Sequence, residues 1–540
     1  MQTVLNKYQA KFIDSFTIDQ GTSGLTLMER AAAFLAEKIE FMFRTKDRDR
    51  ILFVSGNGNN GGDAVCAATI LREKYPYLKM EILYLNSSKM SESLQIQHAK
   101  ALEADIDYYN ADTEEKLKVF KQIKGDFDIV VDGLFGVGLS REVTGLYADA
   151  INMINDYGKE GATVIAVDIA SGIDADDGSI LGTAVKADVT VTFGNLKRGH
   201  LIYPGRDYTG QLFLGDIGFD ERAFDSQEFG PVKTVSYTIS DLDKLPKRTN
   251  DSNKGTYGKV LVVAGSENMP GACIFSSKAA LRSGAGLVVA CSDKSVLNIL
   301  VQVLPEVVLQ DASEKLDFNG FNAVIVGPGL GKSDAAVKKV DWMLNAGKNS
   351  KEKAQETTKA KSQTYVLDAD CLNILADRMN KEGISDTTLR IDWLTEKLPK
   401  NSILTPHKKE LSRLLNVPME DLNNLVKTAE MLSASTDLVF VLKDAATLVV
   451  TRGSIYINQS GNNGMSTAGA GDVLTGIIGA YAAGGLSAYE ASKLGVYVHG
   501  LAGDSAERIY GTYGVMAGDM ADLVAIAVKE NLEALKASEK

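Results

Sequence analysis

The sequence predicts an α/β protein of two domains, each organised around a mainly parallel β-sheet. Three observations lead to this class. Short apolar runs alternate with helical patterns along both halves of the chain, as they do where helices connect parallel strands. Each half of the chain also contains one glycine-rich loop that ends in aspartate. These loops are Ser55–Asp63 and Gly464–Asp472. The chain of 540 residues also exceeds what one hydrophobic core usually supports.

The first half predicts a doubly wound parallel sheet behind a leading helix. The helix is expected over Thr26–Phe43, where apolar residues recur at helical spacing. After it, apolar runs short enough for buried strands alternate with segments of helix length. The strands are expected at Ile51–Val54, Glu81–Leu85, Asp128–Val131, Thr163–Val167 and Val189–Phe193, and the helices at Ala64–Tyr75, Leu94–Ala104 and Tyr147–Tyr157.

A second series of elements begins after a stretch without periodicity. Between Phe219 and Asn253 the chain gathers charge and proline, so we assign residues 1–225 and 235–540 to the two domains. The Lys-, Glu- and Thr-rich segment Lys348–Ser362 is expected to be a solvated loop or a helix extension. The other expected elements are strands at Val260–Ala264, Leu287–Cys291, Ala323–Val326, Tyr365–Leu367, Ile403–Leu404, Val439–Leu442 and Leu448–Thr451, and helices at Ala272–Arg282, Asp472–Tyr481 and Ala488–Tyr510.

Composition narrows the classes of partner. The chain has 58 Lys and Arg against 70 Asp and Glu, and its net charge of −12 disfavours binding to nucleic acid. No apolar run is long enough to span a bilayer, and the N-terminus lacks the apolar core of a signal peptide. We therefore expect a cytoplasmic protein that binds neither nucleic acid nor membranes. The cysteines support a cytoplasmic location, because they occur singly, without the spacing of metal ligands, as free thiols of a reducing compartment do. They are Cys66, Cys273, Cys291 and Cys371.

The first glycine-rich loop predicts a site for a phosphorylated ligand. Gly56, Gly58 and Gly61 fit the G-x-G-x-x-G spacing of Rossmann-like domains, with Glu81 about twenty residues further on. The asparagines inside the loop and Asp63 at its end place polar side chains where a dinucleotide fold uses backbone only, which disfavours a hydride-transferring dehydrogenase. A loop that merely turns the chain is the alternative.

Two further segments are expected at the same site. Val131–Arg141 follows a strand and holds glycines that allow close approach to a pyrophosphate, which Arg141 can neutralise. Val167–Asp174 lies at the end of the strand from Thr163, and its second residue is Asp168. The carboxyl ends of parallel strands share one edge, so these segments should border one pocket. In that pocket we expect Asp168 to be a catalytic base. The alternative is that Asp168 only caps a turn.

Oxygen ligands for a monovalent cation are also present in these segments. Asn60, Asp132 and Ser171 offer an amide, a carboxylate and a hydroxyl without a cluster of acids. Such a set suits a weakly held cation better than zinc or calcium. We expect it to bind potassium.

The segments Asn59–Asp63, Val131–Gly138 and Val167–Asp174 resemble the signature of the NAD(P)H-hydrate epimerase family, over roughly residues 1–220. Alanine stands at position 170, where that family usually has proline. The resemblance implies that the hydrated dinucleotide contacts Asn59, Asn60, Gly61, Gly62, Asp63, Gly136, Val137, Gly138, Leu139, Ser140, Arg141, Glu142 and Asp168.

The second glycine-rich loop predicts phosphoryl chemistry. Ala468–Asp472 opens a helix, so its N–H groups can form an anion hole, and Asp472 can take a proton from a hydroxyl as phosphate arrives. This arrangement resembles the ribokinase-like superfamily. The alternative is that Asp472 only caps the helix and has no catalytic role. Gly327–Ser333 fails the Walker spacing by one residue and predicts instead a tight turn, either lining a ligand pocket or purely structural.

Residues 235–535 further resemble the ADP- or ATP-dependent NAD(P)H-hydrate dehydratase family. The segments that carry the resemblance are Gly255–Gly258, Gly265, Gly271–Ala272, Leu367–Asn373, Leu404–His407, Leu442–Lys443 and Gly461–Met465. It implies Mg2+ with ADP or ATP as co-substrate. It also implies substrate contacts at Ala272, Gly329, His407 and Asp472, and nucleotide contacts at Lys443, Asp444, Ala445, Ala446, Thr447 and Gly471. Asp444 and Lys409 stand where the family commonly has glycine, so Asp444 should face away from the phosphates or weaken nucleotide binding.

Together the two resemblances imply one repair function for hydrated NADH and NADPH (NADHX and NADPHX). The first domain would interconvert the R and S hydrates, and the second would dehydrate the S form. We also expect a homo-oligomer. Two alternatives stay open, namely a kinase of hydroxymethylpyrimidine- or pyridoxal-like alcohols, and an N-terminal domain that only binds or dimerises.

Overall fold

The computed structural model describes residues 1–46, 49–85, 90–313, 316–353 and 363–538. The chain divides into two compact units, residues 2–231 and residues 232–540. None of the described helices is both long enough and apolar enough to cross a membrane.

The N-terminal unit contains one fully parallel sheet of seven strands. Its helices are α1 Lys7–Asp19, α2 Gly24–Lys46, α3 Asn59–Lys74, α4 Glu92–Glu103, α5 Glu114–Lys124, α6 Leu146–Lys159 and α7 Gly205–Thr209. Its strands are β1 Gln2–Leu5, β2 Arg50–Ser55, β3 Lys79–Tyr84, β4 Asp107–Asn110, β5 Ile129–Gly133, β6 Thr163–Val167, β7 Val189–Phe193, β8 Leu196–Lys197 and β9 Gln211–Gly215.

The strand order of this sheet is β4-β3-β2-β5-β6-β7-β9, and the short strands β1 and β8 pair separately. The order reverses between β2 and β5, where a doubly wound sheet forms its ligand crevice. Strands β5, β6 and β7 are buried along their whole length, and one apolar cluster lies on each sheet face. The predicted Rossmann-like doubly wound sheet is therefore confirmed.

Four helices of this unit differ from expectation, because α3 begins early and the sequence did not predict α1, α5 and α7. Helix α3 begins at Asn59, five residues before the expected start, so the asparagines and glycines of the signature lie in its first turn. Helix α1 was not expected, because only three of its residues are buried. Its start is fixed locally by a capping box in which Asn6 and Gln9 exchange hydrogen bonds.

The C-terminal unit has ten strands in the order β13-β12-β11-β14-β15-β16-β17-β18-β19-β10. Its pairs are parallel except β17–β18 and β18–β19. The strands are β10 Lys233–Ser236, β11 Lys259–Val263, β12 Leu287–Ser292, β13 Val308–Asp311, β14 Ala323–Val326, β15 Thr364–Leu367, β16 Ser402–Leu404, β17 Val439–Leu442, β18 Leu448–Thr451 and β19 Ser454–Ile457.

Helices cover this second sheet. They are α8 Pro270–Arg282, α9 Lys294–Val303, α10 Asp334–Lys353, α11 Asp370–Lys381, α12 Thr387–Lys397, α13 Lys408–Leu415, α14 Val426–Ser435, α15 Ala470–Ala483, α16 Ala488–Tyr510 and α17 Ala517–Ser538. Helix α15 packs against α8 and α16 in one buried apolar cluster. The predicted α/β class of this unit is confirmed. Helix α10 enters the expected insertion as far as Lys353, and residues 354–362 of that segment lie outside the described residues.

Candidate active sites

A cavity of about 950 Å³ opens at the carboxyl edge of the N-terminal sheet. It is bordered by the segments that follow β2, β5 and β6, because parallel strands bring their carboxyl ends to one edge. Helix α1 adds a further wall. The lining includes these residues that the sequence singled out: Asn59, Asn60, Asp63, Gly136, Val137, Gly138, Leu139, Ser140, Arg141, Glu142 and Asp168.

Gly61 and Gly62 lie in the first turn of α3 and are not among the residues that line the cavity. A Cβ atom on Gly61 would lie 2.5 Å from the carbonyl oxygen of Gly56, and one on Gly56 would lie 2.2 Å from the carbonyl oxygen of Leu134. These glycines let the β2–α3 turn pack against its own backbone at Gly56 and against the segment after β5 at Leu134. Close packing of the chain therefore accounts for part of the glycine spacing.

Asp168 occupies a strained position at the end of β6. Its φ of 63° is left-handed, a region that non-glycine residues seldom adopt. Its carboxylate accepts hydrogen bonds from the Lys197 ammonium and, at 2.9 Å, from Thr192 Oγ1. Burial is the largest influence on this group and raises its pKa. The charge and hydrogen bonds of Lys197 outweigh burial, so the pKa lies below its usual range and Asp168 is a carboxylate at neutral pH.

His200 fixes the backbone around this pair. Burial, assisted by the Lys197 charge, lowers the pKa of His200 to about 4, so its ring is neutral. The Lys197 N–H donates to His200 Nδ1 at 3.1 Å, and Nε2–H donates to the Asp168 carbonyl at 2.8 Å. The ring thereby joins the strands that carry the two charged partners. Sequence reasoning missed both Lys197 and His200, because neither belongs to a glycine-rich segment.

Two more aspartates line the cavity. Asp63 comes from α3 and Asp14 from α1, the helix that the sequence did not predict. Burial and then the charges of Asp168 and Asp14 raise the pKa of Asp63 well above its usual range. Burial and the Asp168 charge also raise the pKa of Asp14. Glu81 is remote from this site, since it lies within β3 and pairs with Arg50 at 3.1 Å and Lys124 at 2.8 Å.

Asp132 and Ser171 lie buried behind the cavity wall and contact each other. Ser171 Oγ–H donates to Asp132 Oδ1 at 2.7 Å, and the Ser171 N–H donates to Oδ2 at 2.8 Å. Burial raises the pKa of Asp132 to about 6. Among the described residues no cationic side chain forms an ion pair with it. The amide nitrogen of the third predicted ligand, Asn60, is buried without a hydrogen-bond partner.

In the C-terminal unit, Asp472 lies in the first turn of α15. The N-cap of this helix is Gly469, whose φ of 91° is left-handed, and Ala470 is the first helical residue. The first N–H groups of α15 therefore point to the same end as the Asp472 side chain. Burial, followed by the charge of Asp368, raises the pKa of Asp472 to about 7.

Lys443 is the cation of this second site. Its Nζ donates to Asp368 Oδ1 at 2.7 Å and lies 3.8 Å from Glu410 Oε2. A Cβ atom on Gly471 would lie 3.4 Å from the same Nζ, so the ammonium faces the first turn of α15. Burial disfavours its charge, but the carboxylates outweigh burial and the pKa of Lys443 is raised. The site therefore has a fixed positive charge beside its candidate base.

His407 caps α13 and contacts Glu410. Burial and then the Lys443 charge lower the pKa of His407, so the ring is neutral. Its Nδ1 accepts from the N–H groups of Lys409 and Glu410 at 3.1 and 3.2 Å, and Nε2 lies 3.3 Å from Glu410 Oε1. The Nε2 proton therefore points to that carboxylate.

Ala272 and Gly329 are neighbours, as a Cβ atom on Gly329 would lie 2.7 Å from the Ala272 Cβ. The turn that carries Gly329 is held by a hydrogen bond from the Gly331 N–H to Asp370 at 2.8 Å. Asp370 is two residues from Asp368, and the residue between them, Ala369, has a left-handed φ of 49°. The glycine turn is thus linked through this short segment to the Lys443 cluster.

The β17–β18 connection holds the other predicted nucleotide contacts, Asp444, Ala445, Ala446 and Thr447. Asp444 Oδ2 lies 2.7 Å from Lys408 Nζ, so its negative charge is paired. Thr447 Oγ1 donates to the Asp444 carbonyl at 3.1 Å and stabilises the turn. Lys409 is exposed, and its N–H takes part in the cap of α13.

Two family models match the chain, one in each half. Residues 24–199 match the YjeF-related protein N-terminus, and residues 260–525 match NAD(P)H-hydrate dehydratase. The model boundaries fall inside the two compact units.

Similar proteins match over nearly the full chain. The bifunctional NAD(P)H-hydrate repair enzyme of Coxiella burnetii is 34% identical, and the match covers 96% of this chain and 98% of the relative. The enzyme of the same description from Moorella thermoacetica is 33% identical over 94% of this chain and 93% of its own. A solved ADP/ATP-dependent NAD(P)H-hydrate dehydratase from Bacillus subtilis, co-crystallised with ATP and Mg2+, is 26% identical over 55% of this chain and 98% of its own, with a TM-score of 0.44.

Proposed function

The chain belongs to the family of bifunctional NAD(P)H-hydrate repair enzymes, and we propose that residues 1–225 are its epimerase domain and residues 235–540 its dehydratase domain. The substrates are the R and S hydrates of NADH and NADPH, and the product is the intact dihydronicotinamide dinucleotide. One observation carries the proposal. Each unit of one chain holds its own aspartate beside a buried lysine, Asp168 with Lys197 and Asp472 near Lys443.

The epimerase reaction needs a base but no phosphate donor. The hydrated ring carries a hydroxyl on C6, next to the ring nitrogen, and such a hemiaminal-like carbon opens when the hydroxyl proton is removed. Asp168 is the base in this proposal, because Lys197 keeps it ionised inside the cavity. The ring then recloses on either face, which interconverts the R and S forms.

A monovalent cation, which we assign as potassium, fits beside this cavity. The buried Asp132 carboxylate carries a charge without an ion-pair partner in the described chain, and Ser171 and Asn60 add neutral oxygens. A bound cation would neutralise that charge and hold the α3 start and the β6 turn together. Asp132 and Ser171 act on the cavity only through the turns they hold, because both lie behind its wall.

The dehydratase reaction needs an activated leaving group. Hydroxide leaves poorly, whereas a phosphate formed on the same oxygen leaves readily and restores the ring double bond. Asp472 removes the hydroxyl proton during phosphoryl transfer, and the α15 N–H groups with Lys443 stabilise the transferred phosphoryl group. Mg2+ arrives with the ADP or ATP co-substrate and neutralises its phosphates. The Lys408–Asp444 ion pair removes the negative charge that would otherwise oppose nucleotide binding.

The other predicted contact residues of the dehydratase domain are assigned to its substrate and nucleotide sides. Ala272, Gly329 and His407 line the substrate side of this second site, and Lys443–Thr447 with Gly471 line the nucleotide side. We assign the chain to the cytoplasm, since its four cysteines are buried and free, as predicted.

The test is to incubate the chain with an equal mixture of the R and S hydrates, ADP and Mg2+. Complete recovery of the dinucleotide is expected, because the epimerase replenishes the S form as it is consumed. Recovery that stops at half would contradict the epimerase assignment. A stable phosphorylated product would instead favour the kinase alternative.

A further inference from the structure

The epimerase cavity brings three aspartates together around one ion-paired lysine. Asp14, Asp63 and Asp168 line it from three different elements, namely α1, α3 and the turn after β6. Across the described residues, these three carboxylates form a single ion pair, between Asp168 and Lys197. Their crowding at one cavity is a property of the tertiary structure, since 154 positions separate the first from the last in the numbering.

Lys197 has no proton left for a second carboxylate. Its ammonium donates to Asp168, to Thr192 Oγ1 at 2.8 Å and to the Phe193 carbonyl at 3.2 Å. An ammonium has three donors, and all three are used. Carboxylates that share a buried site cannot all ionise, so the two aspartates without a cation favour their protonated forms, Asp63 more strongly than Asp14. The pKa of Asp63 is accordingly raised, by burial first and then by the charges of Asp168 and Asp14.

We propose that Asp63 is the proton donor of the epimerisation, acting on the ring nitrogen while Asp168 removes the proton of the C6 hydroxyl. This inference rests on the proposed epimerase function. It gives two carboxyl groups of one cavity opposite roles, which their environments maintain. The structure thereby supplies an acid as well as a base for a reaction that needs both.

The step balances without a further reactant. Asp168 takes the hydroxyl proton, the C6–N1 electron pair moves to the nitrogen, and Asp63 delivers its proton there. The products are an open-chain aldehyde and an enamine N–H. After rotation about the C5–C6 bond the nitrogen attacks the other face of the aldehyde. Asp63 then recovers its proton, and Asp168 returns one to the new hydroxyl.

The charged and titratable groups around Asp63 come from several elements. Asp14 and Asp168 raise its pKa, Lys197 lowers it, and the Cys66 thiol on the same helix responds to the Asp63 charge. His200 is neutral and contacts the backbone carbonyl of Asp168. The other charged residues on the cavity wall are Lys11, Arg141 and Glu142.

The test follows epimerisation alone, by chiral separation of purified S hydrate incubated with the full chain in the absence of nucleotide. The wild-type rate should fall at high pH, as Asp63 loses its proton. Asp63→Asn should lower kcat by about 100-fold or more and remove this alkaline limb. Asp63→Glu should restore the limb, which excludes misfolding as the cause.

Asp14→Asn is the matched variant, since it leaves Asp63 in place. Removing the Asp14 charge lowers the pKa of Asp63, so the alkaline limb should move to lower pH. An unchanged limb in Asp14→Asn, or a limb that persists in Asp63→Asn, would overturn the assignment while leaving the epimerase function intact. A wild-type chain that cannot interconvert the hydrates would overturn both.

Discussion

Lys443 and Asp368 form a buried ion pair of 2.7 Å directly beside the first turn of helix α15. The Asp368 side chain is only 2% exposed, so it depends on Lys443 for its counter-charge. Glu410, 6% exposed, shares the same ammonium at 3.8 Å. The pair therefore combines a structural role with a position suited to the transferred phosphoryl group.

Lys443→Met should abolish dehydration and destabilise the chain. Breaking a buried pair leaves uncompensated charge, at a cost of about 3–5 kcal/mol. Thermal unfolding should show a lower midpoint, and Lys443→Met/Asp368→Asn should recover part of it without restoring activity. Recovery of activity in the double variant would contradict a role for Lys443 in phosphoryl transfer.

Asp472 should set the pH dependence of dehydration. A base must be ionised to act, and burial raises the pKa of Asp472 to about 7. The dehydration rate should therefore fall as the pH drops through about 7. Asp472→Asn should abolish dehydration and spare epimerisation, measured on the same preparation. Dehydration at the wild-type rate would exclude Asp472 as the base.

Lys197→Met should impair epimerisation through Asp168. Without the ammonium, burial raises the pKa of Asp168, so the acid limb of the epimerisation rate should move to higher pH. Lys197→Arg keeps the charge and is the matched control. Equal acid limbs in the Met and Arg variants would show that Lys197 does not maintain the ionisation of Asp168.

Potassium should stabilise the N-terminal unit in a pH-dependent way. The folded-state pKa of Asp132 is raised to about 6, above its unfolded value, so folding stability falls as the pH rises from the unfolded pKa towards 6, and the full cost is present above 6. A cation bound to the ionised form offsets this cost. The unfolding midpoint should rise in KCl relative to tetramethylammonium chloride at pH 8, and much less at pH 5. Asp132→Asn should lose this difference, and an equal rise at both pH values would argue against a cation at Asp132.

Lys408 should protect nucleotide binding from Asp444. Lys408→Met leaves the Asp444 carboxylate unpaired near the phosphates, so the KM for ADP should rise several-fold while kcat changes little. Lys408→Met/Asp444→Gly should return the KM towards the wild-type value. A KM that stays raised in the double variant would mean that Lys408 contacts the nucleotide itself.

The periodicity of the chain was sufficient to predict most strands. Val189–Phe193 and Thr163–Val167 match the expected bounds because fully buried strands are continuous apolar runs between turn residues. Helix α1 could not be found in this way, since its weakly amphipathic sequence is helical through its cap and through packing on residues 221–229. Helix α3 begins earlier than its sequence predicts, because asparagine and glycine usually favour turns over helices.

By itself, the sequence determined the two α/β units and the two loops that end in Asp63 and Asp472, because apolar period and glycine spacing are local properties of a chain. Only the tertiary structure decided which charges share a site. It placed Asp14 and Lys197 beside Asp168, and it paired Asp444 with Lys408. The ionisation of a carboxylate depends on burial and on neighbours within a few ångströms, and residues distant in the sequence become neighbours only in the folded chain.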